Sequence, residues 1–365
     1  MSISILILLI PMTTAVTTLT DGEMELLFVH GVWRHGDRSP LQICPSDPIQ
    51  EDDWELGGGG IGQLTPLGMA QHFNFGKLLR EFYVESGFLS KKYSSKEIYV
   101  LSTDVNRTVV SAMSNMLGMY GQQDGSSQAG VDYPGETGWP VGYVPIPVHT
   151  IDFNTNHVGN PEAKCNRMPI LYNMAKNSRV LQTFLKRPDV VDLFNKLTRY
   201  CGKTIDIENL WTVHDTLFIE IVDVVNEIVG YENGVFDETV MINNLDIGLE
   251  MRKIRGGSLI NDISERMNTK LNCMNLVNTK CNWIKPLKYF VYSAHDTTVY
   301  ALLSVLGIAK KVVRSGYPPY TSAVFVELWM NHTDNQPYFK LMYHKDEQSD
   351  TLYPITPFVD ALSEH

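Results

Sequence analysis

The chain of 365 residues is short of cysteine, positive charge and long apolar runs. Its five cysteines are Cys44, Cys165, Cys201, Cys273 and Cys281. None forms a Cys-x-x-Cys pair, so no thiolate metal site is written here. None is followed six positions later by arginine, which excludes the thiolate loop of the cysteine phosphatases. In an oxidising compartment they make at most two disulfides and leave one thiol. Cys273 and Cys281 are near enough in sequence to close a small loop. Lysine and arginine number 30 against 41 acidic residues, a formal net charge of -11. That balance excludes a broad nucleic-acid surface. No low-complexity segment or repeat is present. The longest apolar run, Ile3 to Ile10, is too short to span a bilayer. With Pro11 and Thr13-Thr14-Ala15 behind it, the run reads as a signal-peptide core cleaved near Ala15 to Thr20. No second membrane candidate follows, so the expected product is secreted or lumenal.

What is present is a concentrated motif. Leu26-Leu27-Phe28-Val29, extended to Val32-Trp33, reads as a buried strand. Arg34-His35-Gly36-Asp37-Arg38-Ser39-Pro40 follows at its carboxyl end, where open α/β sheets place ligands. Two arginines flank one histidine. Guanidinium groups present fixed donors to phosphate or carboxylate oxygens, and a histidine between them can attack the atom those oxygens surround. Gly36 permits close backbone approach. In an acidic protein, this is a local island of positive charge.

Two more strand ends carry similar chemistry. A glycine-rich loop from Cys44 to Gly62 leads to Thr65-Pro66, an N-cap and first helical residue, and then to a helix as far as Tyr83. His72 on that helix reads as structural or surface. Ile98 to Leu101 is a short strand running into Ser102-Thr103-Asp104-Val105-Asn106-Arg107-Thr108 and a helix to about Tyr120. Arg107 falls in the first helical turn, where backbone N–H groups favour anions. Val144 to Val148 reads as an edge segment, because its prolines bar it from the sheet centre. From Ile151 to Arg252 helical periodicity dominates, as in Leu181 to Leu197, Leu210 to Val229 and Thr239 to Leu249. Gly202-Lys203-Thr204 lacks the earlier glycine of a phosphate loop and reads as a turn. The strand Leu287 to Tyr292 then ends in Ser293-Ala294-His295-Asp296-Thr297-Thr298 and another helix. Ala323 to Trp329 and Tyr338 to Met342 read as an antiparallel pair joined by the turn Asn331 to Gln336.

Arg34-His35-Gly36-Asp37-Arg38-Ser39-Pro40 resembles the signature of the histidine acid phosphatase family, most closely its prostatic and lysosomal branch. Ser102 to Thr108 is similar to the family's second arginine motif. Leu101 stands where an arginine usually precedes it, and Asn106 where aspartate is common. Ser293 to Thr298 resembles the carboxyl-terminal catalytic motif, and the likeness covers most of the chain from about Met24 to Tyr353. Relatives usually run on past a Pro-Gly-Cys segment with further cysteines, so the partner of Cys165 is expected to be missing here. The resemblance implies an α/β fold: a mixed central sheet flanked by helices, as in phosphoglycerate mutases, with a smaller, mostly helical inserted domain. The expected layout is a signal peptide over 1–20, a catalytic domain from 21–150 and 253–365, and a helical cap over 151–252. Arg255-Gly256-Gly257 resembles a family segment that opens a helix where the chain re-enters the catalytic layer.

The residue chemistry and the resemblance together imply hydrolysis of phosphate monoesters. Arg34, Arg38 and Arg107 would hold the phosphoryl oxygens, with His295 as a further donor. His35 would be the nucleophile, and Asp296, protonated near acidic pH, the general acid. Asp37 would orient the loop. No cofactor or metal is needed, since the arginines supply the charge. Expected substrates are small-molecule or phosphoprotein phosphate monoesters. The prostatic branch implies a homodimer and a secreted or lysosomal location. Alternatives on the same scaffold are a phytase-like enzyme, a lysophospholipid-phosphate phosphatase or a non-catalytic secreted binding protein. The acidic total argues against the phytase, and the intact His35 and Asp296 against the binding protein. Asn331-His332-Thr333 is a glycosylation sequon in a turn. Asn106-Arg107-Thr108 is a second sequon, expected to stay unmodified beside the site.

Overall fold

The computed structural model describes residues 23–121, 123–220, 239, 241–313 and 317–361. The expected signal peptide therefore lies outside the described residues. In chain order come β1 (Met24–Arg34), α1 (Pro66–Leu79), β2 (Ile98–Thr103), α2 (Asn106–Tyr120) and β3 (His149–Ile151). Helices α3 (Met168–Lys176), α4 (Arg179–Leu185), α5 (Pro188–Cys201) and α6 (Leu210–Glu220) follow. A small hairpin, β4 (Met241–Ile242) and β5 (Leu245–Asp246), leads into the long α7 (Ile247–Met274). The chain closes with β6 (Tyr289–Ala294), α8 (Asp296–Val305), α9 (Ala309–Val312), β7 (Ala323–Asn331), β8 (Gln336–His344), β9 (Tyr353–Pro354) and β10 (Val359–Asp360).

The main sheet runs in the order β10-β8-β7-β1-β6-β2-β3, with β9 on β8. Strands β1, β6, β2 and β3 are mutually parallel, and β7 turns the sheet antiparallel. The mixed sheet of the sequence reading is thus present. Strand β1 is buried on both faces, which explains its near-continuous apolar run. Phe28 and Val32 join Leu259, Ile263, Leu302 and Leu303 of α7 and α8 in one core. Val29 and Trp33 join Phe75, Leu79, Ala112 and Met116 of α1 and α2 in the other. Helix α1 begins as read, with Thr65 Oγ1 accepting from the Gly68 amide at 3.1 Å.

The central region departs from expectation in three places. The single helix read over Leu181 to Leu197 is two, α4 and α5, because Pro188 opens a new one. The helix read over Thr239 to Leu249 is instead the β4–β5 hairpin and the start of α7. Asn243 and Asn244 take positive φ of 50° and 63°, which asparagine tolerates in a tight hairpin turn. Nor does Arg255 open a helix: α7 runs unbroken through the boundary expected at 252/253. Gly256 is there for packing, since a Cβ on it would lie 2.6 Å from the Ala301 carbonyl oxygen of α8. The helix read to Val229 is described as far as Glu220, and its remainder lies outside the described residues.

Two disulfides form, Cys44–Cys201 and Cys273–Cys281, and Cys165 stays a thiol. The first ties the loop after β1 to the end of α5. Among the described residues no helix is long and apolar enough to cross a membrane. Asn331 lies at the expected turn but is buried, its Oδ1 accepting from the Thr333 amide at 2.8 Å. Gly202 ends α5 in the left-handed conformation, as befits a turn.

Candidate active site

The ends of β1, β6 and β2 are neighbours. Arg34 is in register with Ala294, and Ser293 with Ser102. Parallel pairing of these strands is what brings motifs roughly 260 residues apart to one edge. Trp33 Nε1 donates to Ser293 Oγ at 2.8 Å, and Ser293 Oγ donates to the Thr108 carbonyl at 2.7 Å. These bonds lock β1, β6 and α2 together under the site.

The loop after β1 is held throughout. The His35 amide donates to Ala294 O at 3.1 Å, and the Gly36 amide to Ser111 Oγ at 3.1 Å. A Cβ on Gly36 would lie 2.4 Å from the Gly68 carbonyl oxygen, so only glycine fits against α1. Asp37 takes the Thr65 hydroxyl on its carboxylate, and its amide donates to Gln71 Oε1 at 2.7 Å. These bonds tie the loop to the start of α1. His72 is structural and fully buried, with Nε2 3.0 Å from Arg34 O.

His35 lies at the centre, 2% exposed. Its Nδ1 is 2.8 Å from its neighbour's carbonyl, Gly36 O. That carbonyl can only accept, so Nδ1 carries the proton and Nε2 the lone pair. Burial, then Arg107, Arg34 and Arg38, push the imidazole pKa well below its usual value. The ring is therefore neutral in mild acid.

Three arginines surround it. Arg34 donates to Pro318 O at 2.7 Å, pairs with Asp296 at 3.0 Å and stacks 4.2 Å from the Tyr320 ring centre. Arg38 is held by Asp215, from Nη2 at 2.5 Å and Nη1 at 3.2 Å. Arg107 Nη2 donates to His295 Nδ1 at 3.4 Å. In all three the Nε atom is buried and finds no partner among the described residues. Burial and Arg38 lower the Arg107 pKa to about 10, which leaves it charged.

His295 belongs to a hydrogen-bonded chain. Its Nε2 is 3.0 Å from Thr103 Oγ1, which is 2.9 Å from Thr108 Oγ1, which in turn donates to Val105 O at 2.8 Å. The chain is satisfied when Nε2 donates to Thr103 and Nδ1 accepts from Arg107. In that arrangement both ring nitrogens are engaged and His295 steadies Arg107. Burial and Arg107 lower its pKa to about 3.

Asp296 opens α8, with Oδ1 accepting from the Thr297 amide at 2.7 Å. Burial pushes its pKa up, but Arg34, Arg38 and His295 pull harder, so the carboxyl sits below its ordinary value. Arg34 and Arg38 thus favour the ionised form of Asp296.

Sequence reasoning missed Asp215. It sits inside α6, far from any motif, and also accepts from the Leu41 amide at 2.8 Å. The one signal was the adjacent His214-Asp215 pair among the apolar residues of that helix. Tyr320 also stands beside His35 and Arg34, its ring 5.9 Å from the His35 ring centre to centre.

A neutral histidine with a fixed lone pair, set among three arginines that each keep a buried, unpartnered Nε–H, defines a phosphoryl-transfer site of the histidine type. Residues 25–344 match the model of the histidine phosphatase superfamily (branch 2), and the chain belongs to that family. It is an enzyme that hydrolyses phosphate monoesters. A Caenorhabditis elegans relative with the provisional name acid phosphatase 10 is 34% identical, over 90% of this chain and 85% of its own. Bovine prostatic acid phosphatase is 32% identical, over 91% of this chain and 80% of its own. Among solved structures, a Hafnia alvei phytase in complex with tartrate shares the fold, with a TM-score of 0.53 at 13% identity, over 89% of this chain and 85% of its own.

Proposed function

We propose that the chain is an acid phosphatase working in two steps through a phosphohistidine on His35. The observation that carries this is the set of three unpartnered Nε–H donors on Arg34, Arg38 and Arg107, the same arginines whose charges bear on the His35 imidazole. Buried donors without acceptors cost free energy unless an anion takes them. They suit the equatorial oxygens of a phosphoryl group in transfer. In the first step Nε2 forms a bond to phosphorus and the bond to the ester oxygen breaks. Asp296 gives that oxygen its proton. In the second step water attacks phosphorus, Asp296 takes the water's proton and the P–N bond breaks.

Asp296 acquires its first proton from the substrate. A phosphate monoester is largely a monoanion below its second pKa of about 6. Arg34 and Arg38 favour the dianion once it is bound, so the ester's proton passes to the nearby carboxylate. His295 serves by holding Arg107. The described helices α3 to α6, between β3 and α7, act as a cap that brings Asp215 to Arg38. Two disulfides support an oxidising compartment, secreted or lysosomal. Resemblance to the prostatic branch supports a homodimer and phosphoprotein substrates among the monoesters; light scattering and a phosphopeptide panel check these.

The test is covalent trapping. A labelled ester, mixed rapidly and quenched in base, should leave phosphate on the protein that is stable to base and released by acid. His35→Ala should abolish the label and lower turnover by orders of magnitude with the circular dichroism spectrum unchanged. Label on serine or aspartate would refute the assignment.

A further inference from the structure

Arg38 is the one phosphate-facing arginine whose two terminal nitrogens are both taken by a carboxylate from the cap. Asp215 reaches it from α6, and the Leu41 amide fixes the same carboxylate at 2.8 Å. Its side chain is 13% exposed, so it is neither sealed in the core nor free in solvent. The geometry points to Asp215 as a specificity-determining residue: it makes this site accept an isolated phosphate monoester and turn away leaving groups that carry further phosphates. This deepens the proposed function and rests on it for the location of the phosphate.

The argument is one of charge. Arg34, Arg38 and Arg107 bring three positive charges. Asp296 on Arg34 and Asp215 on Arg38 remove two. His35 and His295 add none in mild acid, because burial and the arginines keep both neutral. The remaining excess matches one phosphate group. A second phosphate on the leaving group meets the fixed carboxylate of Asp215, with no further arginine of this set left to receive it. Asp215 cannot swing aside cheaply, since three hydrogen bonds hold it and the Cys44–Cys201 disulfide anchors the loop carrying Leu41 to the cap. Like charges across a few ångströms of partly buried space repel strongly enough to alter binding by about tenfold.

If Asp215 merely propped Arg38, its loss would weaken every anion alike. The two accounts therefore differ in a ratio. Affinities for inorganic phosphate and for inositol hexasulfate, which is not hydrolysed, should be measured by calorimetry on wild type, Asp215→Asn and Asp215→Glu. Asp215→Asn should favour the hexasulfate over phosphate by about tenfold relative to wild type, and Asp215→Glu, which keeps the charge, should restore discrimination. Asp215→Ser gives the same comparison if the asparagine variant does not fold. An unchanged ratio, or equal weakening of both anions, overturns the inference. Because binding alone is read, a failure of catalysis on monoesters would count against the proposed function and leave this test standing.

Discussion

Replacing Asp296 by asparagine separates the proton donor from the nucleophile. The side chain keeps its shape and can still receive the Thr297 amide, now at 2.7 Å from Oδ1. Two things are lost: a proton for the leaving oxygen and a negative charge 3.0 Å from Arg34. General acid help is typically worth ~10²–10⁴-fold. An alkyl phosphate, which leaves as a strongly basic alkoxide, should lose about that factor at the chemical step. A nitrophenyl ester leaves as a stable anion and should lose clearly less. The second loss acts oppositely on binding. A unit charge about 5 Å from a phosphate, at an effective dielectric of about 20, is worth roughly 3 kcal/mol before screening. Inorganic phosphate should therefore bind the variant tighter by about tenfold or more at neutral pH. Single-turnover rapid quench gives the chemical step, free of any delay in phosphohistidine hydrolysis, and calorimetry gives the affinity. Equal rate losses on the two esters would mean that Asp296 only positions groups and that the proton comes from elsewhere. Weaker phosphate binding would show that its charge supports Arg34 more than it opposes the ligand.

The remaining predictions concern pH and packing. With Asp296 held ionised by Arg34 and the proton arriving on the substrate, kcat/KM should fall as pH rises through the ester's second pKa; an ester with a lower second pKa should move that limb by the same amount, and a limb fixed by the enzyme refutes the proton route. His30 lies among Phe28, Phe290 and Tyr292 with neither nitrogen partnered among the described residues. Burial first, and Arg266 second, lower its pKa, so the unfolded chain binds the proton more readily and stability is lost as pH falls below 6.5. His30→Leu should raise thermal stability more at pH 5 than at pH 7.5, by up to about 2 kcal/mol at the acid end, and a gain equal at both pH values would contradict this. Gly36→Ala forces a methyl into the Gly68 carbonyl; it should cost roughly 1–3 kcal/mol in denaturant unfolding and most of the activity, although no charge is altered.

Local pattern carries the chemistry and the elements that bear it. Strand β1 is legible because a strand buried on both faces must be apolar almost throughout, and the Thr65-Pro66 helix start because only certain residues cap a helix. The three motifs at strand ends were legible because arginine and histidine in a tight loop have few uses other than holding and attacking an anion. Local pattern could not place Asp215. Its partner lies 177 residues away, and only the packing of the helices from α3 to α6 and the Cys44–Cys201 link bring α6 to the pocket. The ionisation of Asp296 and the direction in which His295 faces were likewise decided in three dimensions. A carboxyl's pKa depends on charges within a few ångströms, and here those belong to Arg34 and Arg38 on another strand end. A histidine's tautomer depends on what each nitrogen meets, and His295 meets Thr103 and Arg107, both distant in sequence. Sequence names the groups that can react; the parallel register of β1, β6 and β2 sets their distances, and those distances decide charge, tautomer and role.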